Sequence, residues 1–225
     1  MSLLDGLRGG LIVSVQAWRG SAIDDPQIIA AMARSSQDGG GRAVRIEGEA
    51  NLSAVRRRVA LPMIGLIKRE YPGFEPYITP SLAEVAAVIA SDAEIVAFDA
   101  TTRRRPDGRH LTDVVAAVHA AGRLAMADCS TSGEAIAACE AGADLVATTL
   151  CGYTRETADR SLPALDLVGE IAALGCFTVC EGGVRTPAQV RAALDAGANA
   201  VVVGSAITNV DWLVREFAGA ADGRS

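Results

Sequence analysis

A lysine and a glutamate occupy matching places in two distant apolar runs. Lys68 ends Ile64-Gly65-Leu66-Ile67-Lys68, and Glu181 ends Phe177-Thr178-Val179-Cys180-Glu181. In an extended strand alternate side chains share a face, so Lys68 lies on the side of Ile64 and Leu66, and Glu181 on the side of Phe177 and Val179. An amine and a carboxyl facing each other over one opening can carry protons to and from carbon. A lysine in water, with a pKa near 10.4, is protonated at pH 7; burial lowers that value and makes it a base. A carboxyl with a raised pKa is the complementary acid. Gln16, Arg45, Asp99, Asp128 and Thr148 sit toward the ends of other apolar runs. Singly, each could equally cap a core or make a structural ion pair. As a set at strand ends they read as a site.

The elements that must position these groups are legible from periodicity. Apolar, β-branched runs predict strands at 11–17, 43–48, 62–68, 95–101, 124–130, 145–150, 177–182 and 200–207. Most intervals carry helical spacing: Ile28, Ile29, Met32 and Ala33 share a face, as do Val85, Val88 and Ile89, and Val190, Ala193 and Leu194. Asp25-Pro26, Thr79-Pro80 and Thr186-Pro187 each predict a cap followed by proline in the first helical turn. Ser91-Asp92-Ala93, Ala141-Gly142-Ala143 and Ala196-Gly197-Ala198 recur as a helix end running into a buried strand. Strand–helix alternation implies a parallel sheet covered by helices, and eight such units close naturally. The predicted architecture is α/β, a single (β/α)₈ TIM barrel over residues 1–225, with a short lead-in at 1–10 and a frayed tail at 220–225. In that fold, polar groups at the C-terminal ends of strands gather at one mouth.

Composition narrows the chemistry. The chain has 225 residues, 50% of them hydrophobic, and a formal net charge of −6, which argues against a nucleic-acid partner. No apolar stretch approaches membrane-spanning length, and 1–10 lacks a signal-peptide pattern, so a cytoplasmic protein is expected. Five cysteines without a CxxC predict reduced thiols, Cys176 and Cys180 being too far apart on one strand to bridge. With only His110 and His119 available, no histidine-rich metal site is expected.

Two glycine-containing turns follow the last two strands: Gly182-Gly183 and Gly204-Ser205. Such turns let backbone N–H groups approach an anion, and barrels often hold phosphate there. The basic loop from Thr101 to Gly108, with Arg103, Arg104 and Arg105, reads first as a solvated charge run. It could instead touch a ligand or a partner subunit.

Several segments resemble the bacterial N-acetylmannosamine-6-phosphate 2-epimerases. They are Leu11-Ile12-Val13-Ser14-Val15-Gln16-Ala17, Ile64 through Tyr71, Tyr77-Ile78-Thr79-Pro80, Asp99-Ala100-Thr101 with Arg105-Pro106-Asp107-Gly108, Met126 through Thr131, Thr148 through Thr154, and Val203 through Thr208. The likeness runs from about residue 11 to 208 in chain order. It implies a cofactor-free isomerase of carbohydrate metabolism that interconverts N-acetylmannosamine 6-phosphate and N-acetylglucosamine 6-phosphate in sialic acid catabolism. Carried over by position, Lys68 and Glu181 match the acid/base pair. Gln16, Arg45 and Asp128 match sugar-contacting positions, with Tyr153 a further substrate-binding candidate; the turns at Gly182 and Gly204-Ser205 match the phosphate cradle, with Gly183 a further candidate in the first turn. The implied partner is a small phosphorylated amino sugar; a homodimer is expected as the default assembly of such enzymes. Two departures stand out: Gly183 and Asn209 occupy positions where the family usually has arginine, and Arg185 is a candidate replacement for one of them. Two other readings remain at this level, a Schiff-base aldolase using Lys68 as nucleophile and a non-catalytic phosphosugar-binding barrel.

Overall fold

A computed structural model describes residues 2–223. Eight parallel strands close in sequential order into a barrel: β1 (Gly10–Val15), β2 (Ala43–Glu47), β3 (Met63–Leu66), β4 (Ile95–Asp99), β5 (Leu124–Asp128), β6 (Leu145–Ala147), β7 (Phe177–Cys180) and β8 (Ala200–Val203). The helices are α1 (Leu3–Leu7), α2 (Pro26–Asp38), α3 (Glu49–Arg56), α4 (Leu82–Ala90), α5 (Leu111–Ala120), α6 (Ser132–Glu140), α7 (Leu165–Ala172), α8 (Pro187–Asp195), α9 (Ser205–Thr208) and α10 (Val210–Ala221). Among the described residues, no helix is long and apolar enough to cross a membrane.

Strand alternation divides the core in two. Ile12, Ile64, Leu66, Ala97, Met126, Ala147, Phe177 and Val179 pack together inside the barrel. Val13, Val44, Ile46, Val96, Phe98, Ala127 and Val146 point outward and pack with the helices. Such two-sided burial explains why the strands read as continuous apolar runs. Gly65 is needed on the outer face, because a Cβ there would lie 2.6 Å from Val88 Cγ1 and 2.9 Å from Ala93 Cβ.

The predicted strands all exist but end earlier than expected. The apolar patterning continues into the mouth loops, so it overruns the paired backbone; β6, for example, ends at Ala147 rather than residue 150. Asp25 and Thr186 cap α2 and α8 as predicted, each followed by proline. Thr79-Pro80 does not start a helix. Ser81 caps α4, and Thr79 adopts φ 44° while its hydroxyl donates to the Ala97 carbonyl at 2.6 Å. The tertiary bond to β4 claims the hydroxyl that a cap would have used.

The lead-in forms α1, whose Leu7 is buried with the interior cluster. The tail expected to fray from 220 is helical through Ala221, and residues 224–225 lie outside the described residues. The expectation that every cysteine is reduced is overturned by a disulfide between Cys139 and Cys176, whose Cα atoms are 6.6 Å apart. Barrel closure sets the end of α6 beside the start of β7, a proximity that spacing of 37 residues does not reveal. Cys129, Cys151 and Cys180 are free and buried.

Candidate active site

Continuing the inward alternation past each strand end builds the mouth. Arg45, the third residue of β2, follows Ala43 on the inner face and is 1% exposed. Its guanidinium grips Asp128, the last residue of β5, through two bonds: Nη1 to Oδ1 at 3.0 Å and Nη2 to Oδ2 at 2.6 Å. Nη1 also donates to Glu181 Oε2 at 2.7 Å. Thr149 donates to Asp128 Oδ1 at 2.7 Å and approaches Glu181 Oε2 at 3.2 Å. The Glu181 backbone is held too: its N–H donates to Thr148 Oγ1, whose hydroxyl donates to the Glu181 carbonyl. The carboxyl of Glu181 is thus fixed from below and behind, which is the preorganisation a reacting group needs.

Electrostatics single out the Glu181 carboxyl. Burial drives Glu181 up to about 7 against the attraction of Arg45, and the Asp128 charge adds to the rise. Arg45 is held more firmly protonated: burial alone would lower its pKa, but Asp128 and Glu181 outweigh it. Arg45 Nε is buried without a hydrogen-bond partner.

Lys68 emerges just beyond β3, and its backbone bridges to Ile78. Its N–H donates to Glu47 Oε1 at 3.2 Å. No ion pair within 4.0 Å occupies the amine among the described residues, and the side chain reaches the open mouth. Protein atoms crowd the amine even so. This crowding, followed by the Arg45 charge, lowers the Lys68 pKa, while Glu47, Glu181 and Asp128 oppose the shift. An amine moved down and a carboxyl moved up therefore share one mouth, the pattern expected of an acid/base pair.

Gln16 lies beyond β1, where its Nε2 donates to Ser14 Oγ at 2.9 Å. Gly182 and Gly183 have φ of 107° and 69°, in the turn from β7 to α8. Tyr153, 56% exposed, borders Gly182: a Cβ on the glycine would meet the tyrosine ring at 3.8 Å. Gly204 and Ser205 form the turn into α9, next to the Gly182 turn because β7 pairs with β8. At Gly183 a Cβ would lie 2.3 Å from Leu162 Cβ, so the packed loop before α7 excludes any side chain there. Asn209 is buried and its Oδ1 caps α10 at Trp212. Arg185 is exposed, its guanidinium 5.1 Å from the centre of the Trp212 ring.

The reading of the basic loop as a solvated run fails for two of its arginines. Arg103 pairs with Asp99 at 2.6 Å, and buried Arg105 donates to the carbonyls of Asp99 and Thr79. These bonds pin the end of β4 to the loop that follows Lys68. Arg104 instead lies over the Phe74 ring. Glu47 and Thr149 were not singled out from the sequence as site residues. Alternation carried one step further, Ala43-Arg45-Glu47 and Leu145-Ala147-Thr149, places both on the inner face.

Comparisons with known proteins identify the family. The family profile described as "Putative N-acetylmannosamine-6-phosphate epimerase" matches residues 29–222. A relative from Klebsiella pneumoniae named as a 2-epimerase of this kind is 47% identical over 206 residues, covering 91% of this chain and 86% of the relative. One from Clostridium perfringens, with the same name, is 40% identical over 216 residues, covering 96% and 98%. The solved N-acetylmannosamine-6-phosphate 2-epimerase from Clostridium perfringens superposes with a TM-score of 0.94 at 39% identity, covering 97% of this chain and 96% of that one. Deoxyribose phosphate aldolase from Aeropyrum pernix shares the fold alone, with a TM-score of 0.68 at 18% identity. The chain belongs to the N-acetylmannosamine-6-phosphate 2-epimerase family of isomerases.

Proposed function

We propose that this protein interconverts N-acetylmannosamine 6-phosphate and N-acetylglucosamine 6-phosphate by proton transfer at C2, without a cofactor. The observation that carries this reading is the unpaired Lys68 amine and the anchored Glu181 carboxyl in one mouth, with pKa values displaced toward each other. Ring opening exposes the aldehyde, so the C2 hydrogen lies alpha to a carbonyl. Lys68, deprotonated, removes that proton from one face, and the electron pair passes into an enolate. Glu181, protonated, returns a proton to C2 from the other face. In the reverse direction the two exchange roles.

A cation in the mouth could also stabilise an enolate oxygen, and Arg45 is one. Both of its terminal nitrogens are engaged by carboxylates, so we assign it to holding Glu181 and Asp128 in place. Gln16 and Tyr153 line the route to the sugar, over a floor of Arg45 and Asp128. The Gly182-Gly183 and Gly204-Ser205 turns take the phosphate through backbone N–H groups. Arg185 supplies a nearby cation in place of one of the arginines absent at 183 and 209. A homodimer in the cytoplasm completes the reading.

The test is NMR of N-acetylmannosamine 6-phosphate with the protein in heavy water. Deuterium should enter C2 as the second epimer accumulates. Absence of exchange would leave only a phosphosugar binder. A borohydride-trapped adduct on Lys68 would instead identify an aldolase. Lys68→Met should lower turnover by about 10²–10⁴-fold, and near-normal turnover would remove the lysine from the mechanism.

A further inference from the structure

Lys68 is the only lysine among the 21 lysines and arginines of the chain, and the strand before it stops short of it. β3 ends at Leu66, and its pairing with β4 ends at Gly65. Beyond that point the chain pairs with itself. An antiparallel hairpin bridges Lys68 to Ile78 and Tyr71 to Phe74, and the Arg69 N–H donates to the Tyr77 carbonyl at 2.9 Å. The direction in which Lys68 points is therefore set by this hairpin.

The hairpin is clamped from outside the mouth by Glu84, which lies in the first turn of α4 and is 1% exposed. Glu84 Oε1 accepts from the Tyr71 hydroxyl at 2.9 Å and pairs with Arg69 Nη1 at 3.0 Å. Its Oε2 accepts from the Ser81 hydroxyl. In α6 and α8 the residues at the same helical position, Glu134 and Gln189, close a capping box on the N-cap backbone. Glu84 instead directs its carboxylate to two side chains of the hairpin. The wall behind it is firm, because Val85 and Val88 of α4 are buried and Val88 lies over Gly65 of β3. Arg69 and Lys68 are neighbours in extended chain, so their side chains leave on opposite sides. Holding Arg69 against α4 turns Lys68 toward the barrel axis.

We propose that Glu84 is a positioning residue for the Lys68 amine, acting through Arg69 and Tyr71. This role rests on the reading of Lys68 as the base given above. A lysine stem is long and flexible, so a fixed root is needed to present its amine to one carbon. Arg45 and Glu47 on β2, Asp128 on β5 and Glu181 beyond β7 are the charged groups facing the amine. Arg69 and Tyr71 face Glu84, with Arg105 near it. Arg105 also holds the far end of the hairpin at the Thr79 carbonyl, so loss of the clamp frees the near end alone. The amine can then leave the crowded mouth for water, where its pKa returns upward toward 10.5.

Two variants of the full chain test this role: Glu84→Gln, and Arg69→Met at a half-exposed position. Initial rates by NMR in heavy water give kcat and KM for N-acetylmannosamine 6-phosphate. Each variant should lower kcat by about 10–100-fold at pH 7 while KM stays within about twofold. Arg69→Lys, which keeps the cation, should recover most of the lost kcat. Acetic anhydride labelling across pH, read by mass spectrometry on the Lys68 peptide of wild type, Glu84→Gln and Arg69→Met, reports the amine without turnover. The pH of half-maximal labelling should rise in both variants. A wild type that neither exchanges nor epimerises would overturn the base assignment, and the role of Glu84 with it. An active wild type matched by both variants would overturn the role of Glu84 alone. So would a fall in kcat with an unmoved labelling profile, which marks a clamp that serves stability only. Should Glu84→Gln fail to fold by circular dichroism, Arg69→Met decides.

Discussion

Replacing Glu181 with glutamine should separate stability from catalysis in a pH-dependent way. Glutamine keeps the shape and one acceptor of the protonated acid but cannot ionise. In the fold the carboxyl titrates at about 7, against an ordinary value of 4.5. The sign follows from proton linkage. A folded state that holds its proton more tightly than the unfolded chain loses stability as pH rises between those two values, and the penalty is absent below 4.5. The gap between about 7 and 4.5, at ~1.4 kcal/mol per pH unit, makes the ionised carboxyl an expense of about 3 kcal/mol above pH 7. Glu181→Gln should therefore gain about 3 kcal/mol relative to wild type between pH 4 and pH 8, while turnover falls by roughly 10²–10⁴-fold. Urea unfolding followed by far-ultraviolet circular dichroism at both pH values measures the difference. Parallel stability curves for the two proteins would refute the raised carboxyl and, with it, the assignment of Glu181 as a neutral acid near pH 7.

Three further outcomes follow from the same geometry. Arg45→Leu leaves Asp128 and Glu181 without their cation and should lose about 3–5 kcal/mol at pH 7. The loss should shrink in acid, where Glu181 takes up its proton, and a pH-independent loss in urea melts would point to packing instead. Thr149→Val removes a hydrogen bond that lowers the Glu181 pKa, so the Glu181-dependent limb of the pH–rate profile should move upward. An unmoved limb contradicts that contact. Gly183→Ala forces a Cβ onto Leu162 at φ 69° and should destabilise by about 1–3 kcal/mol. Adding Leu162→Ala should recover part of this in thermal melts, and strict additivity of the two losses would show that the side chains do not meet.

How legible this protein was depends on the range of the interaction concerned. The mouth was readable where one strand's period of two carries the information: Ile64-Leu66-Lys68 and Phe177-Val179-Glu181 both turn inward as alternation requires. Strand order followed from repeated βα units, because a parallel neighbour demands a helical crossover. Alternation assigns a side, however, and never a partner. That Arg45 would bind Asp128 and Glu181, 83 and 136 residues away, follows only from closing the barrel, which brings β2, β5 and β7 around one axis.

The same limit governs what was misread. Strand ends were overrun because inward apolar patterning persists after backbone pairing stops. Thr79 reads as a cap in the sequence, yet its hydroxyl finds a carbonyl on β4. The arginines of the 101–108 loop look solvated in sequence, yet Arg103 and Arg105 fold back onto Asp99 and its neighbours. Local chain chemistry, then, determined the elements, their order and the inner face of each strand, since those depend on residues a few positions apart. Tertiary closure alone decided the carboxylate–guanidinium floor, the seat of Leu162 on Gly183, the Cys139–Cys176 link and the unpacked final helix. Each depends on distances between segments remote in the chain, and sequence spacing does not encode those distances.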